Sequence, residues 1–149
     1  MQYIKIIDVD DKFIDDLWAK VENTGTIFLL SDGYSKELFR SLYYNSNLVV
    51  SYEDGIMRVE VGENVIDIHL LALGHRFFHG VNKALEELCD LVHTNFPNKP
   101  IVCMIPTRMK SFRNIAELSG MIETGSCDRK MSGVVIPCTI FTWRKQYGF

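Results

Sequence analysis

The 149-residue sequence predicts a single α/β (α+β) domain with a mixed, mostly antiparallel sheet of about seven strands flanked by helices. Three observations carry this. Three apolar, β-branched runs between Asn47 and Leu73 are separated only by the turn signals Asp54-Gly55 and Gly62-Glu63-Asn64, which predicts a meander. The apolar period then changes, with Val81, Ala84, Leu85, Leu88, Leu91, Val92 and Phe96 recurring every three or four residues. Beyond Pro97 the chain alternates strand, helix and strand again, so the later strands return to the same sheet across helices.

Element by element, Tyr3 to Val9 reads as a strand. Asp10 or Asp11 then caps a helix to about Glu22, whose Phe13, Ile14, Leu17, Trp18 and Val21 share one face. A short apolar run, Ile27 to Leu30, leads through Ser31-Asp32-Gly33 to a second helix opened by Ser35. The meander strands are Asn47 to Glu53, Ile56 to Val61 and Val65 to Leu73; the Asp54-Gly55 hairpin places its two central residues where positive φ is favoured. A helix runs from about Gly80 to Asn95, and burying each of its large apolar side chains contributes roughly 1.5–3 kcal/mol before entropy is subtracted. Pro97 and Pro100 separate it from a strand, Ile101 to Ile105. Met109 to Ser119 forms a short helix stopped by Gly120. Met121 to Cys127 and Val134 to Trp143 complete the sheet, with Asp128 to Gly133 as the turn. No repeat, low-complexity run or linker divides residues 1–149.

Composition narrows the function classes. Apolar residues make up 47% and charged residues 23%, enough for a real core without disulfides or metal. The net charge of −3 gives no field that attracts nucleic acid, and the one basic cluster is Arg108, Lys110 and Arg113. No run approaches the roughly 18 apolar residues that span a bilayer. The start of the chain does not read as a charged-then-apolar leader, and the cysteines at 89, 103, 127 and 138 form no CxxC pair. A reducing, cytoplasmic compartment with free thiols is expected.

The segment from Val65 to Phe96 combines a strand, a tight turn at Gly80 and a helix. A helix start exposes unpaired N–H groups and the positive end of the macrodipole, so this turn is ready for an anion. Gly80 leaves room for phosphate oxygens near the backbone, and Arg76 and Lys83 add positive charge. An ordinary strand-to-helix turn uses glycine in the same way.

The order and lengths of the elements, together with Phe77-Phe78-His79-Gly80-Val81-Asn82 and the later Phe112 to Met121, resemble the GNAT superfamily of acyl-coenzyme A N-acyltransferases. In that family the loop reads Arg/Gln-x-x-Gly-x-Gly/Ala, and the following helix points at the coenzyme pyrophosphate. The resemblance implies that Leu71, Ala72, Leu73, Arg76, His79, Gly80, Val81, Asn82 and Lys83 bind acetyl-CoA or another acyl-CoA as co-substrate. It implies direct attack by a deprotonated amine, with the backbone near Ala72 polarising the thioester carbonyl.

His69, on the strand beside that reaction centre with Asp67 on the same face, is the candidate general base, acting with Asp67 or a water relay beside it; a hydrogen-bonded strand histidine is the alternative. Phe77 stands where the family has Arg or Gln, and Asn82 where it has Gly or Ala. Met109 and Ala116 replace the family's frequent Asn and its thiolate-protonating Tyr. His75 and His79 have no third ligand nearby, so no metal is expected. Cys89 and Cys103 read as core residues, and Tyr43, Tyr44 and Tyr52 either line an acceptor groove or fill the core.

The expected function is therefore acyl transfer from acyl-CoA to an amine of unidentified acceptor. Small GNAT-like proteins of tailed bacteriophages share such weakened motifs. The alternative is thus a binding or structural protein without turnover, partnered by a virion protein or a second copy, in the host cytoplasm or the virion.

Overall fold

A computed structural model describes residues 2–24, 35–131 and 133–143. The expected run Ile27 to Leu30 and the turn Ser31-Asp32-Gly33 lie outside these residues. In chain order the elements are β1 (Lys5–Ile6), α1 (Asp11–Thr24), α2 (Lys36–Tyr44), β2 (Leu48–Tyr52), β3 (Gly55–Val61) and β4 (Ile66–Ala72). A 3-10 turn (His75–Phe78) follows, then α3 (Val81–Asn95), β5 (Ile101–Pro106), α4 (Lys110–Leu118), β6 (Met121–Met131) and β7 (Val134–Trp143). The seven strands form one sheet in the order β1-β2-β3-β4-β5-β7-β6. Only β4 and β5 run parallel; the other neighbours are antiparallel.

Helices cover both faces. Val81, Ala84, Leu85, Leu88 and Val92 of α3 pack with Ile115 of α4 against Met57, Val59, Ile66, Ile68, Ile101 and Phe141. On the opposite face Ile14, Leu17 and Val21 of α1 meet Phe39 and Tyr43 of α2 over Val49 and Ile56. Local chemistry sets the helix starts. The Asp10 carboxylate accepts from the Phe13 N–H at 2.8 Å, and the Ser35 hydroxyl accepts from the Leu38 N–H at 3.2 Å. No helix among the described residues is long and apolar enough to cross a membrane.

Three expectations are corrected. The first strand shrinks to Lys5–Ile6, because the Gln2 and Tyr3 N–H groups donate to the Glu87 carboxylate of α3 at 2.9 and 2.8 Å instead of extending the ladder. The last hairpin is longer than expected. β6 continues to Met131, paired with Val134, and Gly133 supplies the positive φ of 80°. The first hairpin turns one residue early. Tyr52 pairs with Gly55, so Glu53 and Asp54 are the central residues, and Glu53 adopts the positive φ of 51°. Gly55 is there for space: a Cβ at this position would overlap the Phe77 ring.

Candidate functional site

β4 and β5 pair only at Ile66↔Ile101 and Asp67↔Val102, then diverge. Beyond Asp67, β4 keeps its β3 partner as far as Ala72 but has none on the β5 side. That edge offers backbone N–H and C=O groups, which need partners once buried. A cavity of about 570 Å³ fills the gap. Its walls include His69 to Ala72 of β4 and Leu73 just after it, Cys103 to Pro106 of β5, and Phe39, Leu42 and Tyr43 of α2. Phe78, Met109 and Phe112 form an apolar end, with the Phe78 and Phe112 rings 5.3 Å apart and edge-on. Arg58, Glu60, His69 and Arg129 supply its charged and titratable chemistry.

The loop after β4 is held by the first hairpin. The Leu73 N–H donates to the Asp54 carbonyl at 2.9 Å, and the Phe77 N–H donates to the Asp54 carboxylate at 2.6 Å. A Cβ on Gly74 would overlap that carboxylate. The Tyr52 hydroxyl donates to the His79 carbonyl. Gly80 then enters α3 at a φ of +79°, with no side chain capping the helix and no carboxylate in its first turn. Arg76 and Lys83 flank it, exposed, and their side chains make no hydrogen bond or ion pair with any described residue.

No family model matches the chain, and no curated protein matches its sequence. Solved structures do match. A GNAT-family acetyltransferase from Bacillus anthracis superposes with a TM-score of 0.73 at 12% identity, covering 95% of this chain and 94% of that one. The microcin self-immunity acetyltransferase MccE, solved with acetyl-CoA and AMP, gives 0.73 at 13% identity over 95% and 92%. RimL, a ribosomal alpha-N-protein acetyltransferase solved with coenzyme A, gives 0.72 at 11% over 95% and 94%. The chain has the GNAT fold.

Within the GNAT fold the candidate residues divide. His69, Leu71, Ala72 and Leu73 line the cavity. Arg76, His79, Gly80, Asn82 and Lys83 do not line it but lie on the turn and helix start that follow, and the Val81 side chain is buried in the core, leaving only its backbone to a ligand. Phe77 is wholly buried beneath the loop, so its side chain is not available to a ligand. Ala116 is also fully buried. Burial pushes the Cys103 thiol up to about 12, which makes it a core group and not a nucleophile. Among the described residues no three His, Cys, Asp or Glu side chains cluster as a metal site.

His69 has a different partner from the expected Asp67. Its Nε2 lies 3.5 Å from Glu60, which is itself ion-paired with Arg58. Burial, then the Arg58 charge, lowers the His69 pKa to about 4 against the opposing pull of Glu60. Burial pushes the Glu60 carboxyl up, but Arg58 and His69 together outweigh it and hold it below the usual range. Both groups make the fold acid-labile. Between pH 6.5 and 4 the unfolded chain takes up a proton at His69 that the folded chain refuses, so stability is full above that window and is lost as pH falls through it. Between pH 7 and 4.5 urea unfolding should show a loss of about 2–3 kcal/mol from this group. His69→Gln should flatten that part of the profile; an unchanged slope would sink the assignment.

Glu60 and Arg129 were legible only in part. Alternation places Arg58 and Glu60 on one face of β3, and the hairpin register brings His69 opposite Arg58. Arg129 lay within a segment that reads as a turn, yet it is a strand residue opposite Ile136.

Proposed function

We propose that the protein transfers an acetyl or related acyl group from acyl-coenzyme A to an amine. The observation that carries this reading is the unpaired β4 edge from His69 to Ala72, opening onto the cavity beside a helix start that has no carboxylate. The backbone of Leu71 to Leu73 suits the amides of the pantetheine arm. Gly80, the first N–H groups of α3, Arg76, His79 and Lys83 suit the pyrophosphate. The coenzyme supplies the thioester; this chain's residues bind it, orient it and shield it from water.

The acceptor nitrogen attacks the thioester carbonyl, the C–S bond breaks, and the coenzyme leaves as its thiol. The backbone near Ala72 polarises the carbonyl. His69, neutral at pH 7, is in the state that receives a proton, but a base of pKa about 4 is weak, so the acceptor must arrive largely as free amine. Turnover should therefore rise with pH as the acceptor amine deprotonates. The free thiols Cys89, Cys103, Cys127 and Cys138 support a reducing, cytoplasmic setting.

Calorimetry with acetyl-CoA, followed by a thiol-release assay over a panel of amines, tests the reading. Saturable binding and amine-dependent release are expected. No binding at a ligand concentration of about 1 mM overturns it, since that bounds the affinity to about −4 kcal/mol.

A further inference from the structure

We infer that the acceptor carries a carboxylate beside its amine, and that Arg129 receives that carboxylate. The inference rests on the acyl-transfer reading and names the substrate class of the same cavity.

The cavity wall holds an uneven set of charges. Glu60 is committed to Arg58, and the Arg58 guanidinium also sits over the Tyr43 ring, 5.8 Å from its centroid. His69 is neutral at pH 7. Arg129 remains. It lines the cavity, half-buried, and its side chain makes no hydrogen bond or salt bridge with any described residue. Its placement is built by the strand: Cys127, two residues earlier on the same face of β6, brings its thiol 3.6 Å from the Met104 sulfur of β5. Met104 itself lines the cavity, so this contact across β7 puts Cys127, and with it Arg129, on the sheet face that the cavity opens from.

The Asp67 carboxylate acts on the Arg129 guanidinium only through space, with no salt bridge between them, so a partly buried fork is left without a direct hydrogen-bond acceptor and a ligand that supplies one gains accordingly. The planar fork of Arg matches a carboxylate in a bidentate pair. Glu60 on the same wall disfavours a doubly charged phosphate and suits a single negative charge. Asp67 shares the face but does not line the cavity and forms no salt bridge with Arg129.

The test compares free amino acids with their carboxamides, first by calorimetry with and without coenzyme A, then as acceptors in the thiol-release assay. Expressed per free amine, because the carboxylate makes its neighbouring amine more basic than the carboxamide does, the carboxylate should be preferred by about 10- to 100-fold in kcat/KM, the range of a charged hydrogen-bonded pair. Arg129→Gln should abolish the preference through KM for the carboxylate while leaving the carboxamide within about threefold, and Arg129→Lys should keep part of it. Equal handling of both forms by the native protein, or equal losses for both in Arg129→Gln, overturns the inference while acyl transfer stands. Selective carboxylate binding without any coenzyme binding keeps the subsite and overturns the transfer reading. Binding of neither overturns both. Thermal melting of each variant checks that the fold is intact.

Discussion

Gly55→Ala should destabilise the protein by about 3 kcal/mol, at the upper end of what overpacking usually costs. The added methyl would occupy the space of the Phe77 ring, which is fully buried and cannot swing into solvent. For a chain of this length the loss lowers Tm by about 6–12 °C. Urea unfolding should show a lower midpoint at an unchanged m-value. The decisive measurement is the double variant. In a Phe77→Ala background the space is free, so Gly55→Ala should cost almost nothing, and a coupling of about 2–3 kcal/mol should separate the double variant from the sum of the singles. Additive effects would mean that the hairpin and the loop after β4 are not packed as described. Because the Phe77 N–H is held by Asp54, Gly55→Ala should also weaken acetyl-CoA binding.

Gly80→Glu should raise the Kd for acetyl-CoA by about 100-fold or more, while the fold survives. Gly80 is exposed, so the substitution leaves the core intact. Its φ of +79° costs a side chain about 1 kcal/mol, and the new Cβ would stand 2.8 Å from the Tyr52 hydroxyl oxygen. The larger effect is electrostatic, since a carboxylate would occupy the helix start where the pyrophosphate is proposed to sit. Gly80→Asn separates the two causes: Asn tolerates the left-handed conformation and adds no charge, so it should lose far less affinity. Calorimetry on both variants, with circular dichroism for folding, reads the difference. Unchanged affinity in Gly80→Glu would refute the loop as the phosphate site.

Much of the scaffold was legible because its signals are local. The β7 bounds, Val134 to Trp143, coincide with the expected strand, and α3 begins one residue after its expected start. In both, hydrophobic period and a flanking glycine or proline suffice. Gly55 shows where local reading stops. Beside Asp54 it reads as a turn residue, yet it is required by an aromatic ring twenty-two positions away that only the tertiary fold brings against it. Arg129 shows the same limit. Asp128 to Gly133 is polar and glycine-bearing, so it reads as a turn, while an edge strand facing solvent and cavity tolerates that polarity.

The sequence by itself determined the order of strands and helices, the anion-ready turn at Gly80 and the resemblance to the GNAT fold, because each follows from spacing along the chain. The tertiary structure alone decided that β4 and β5 part after Asp67, that Glu60 and not Asp67 meets His69, and that the Arg129 side chain reaches the cavity without a salt bridge among the described residues. Those outcomes depend on which strands become neighbours and where their hydrogen bonding stops, and the periodicity of a single strand does not specify its partner.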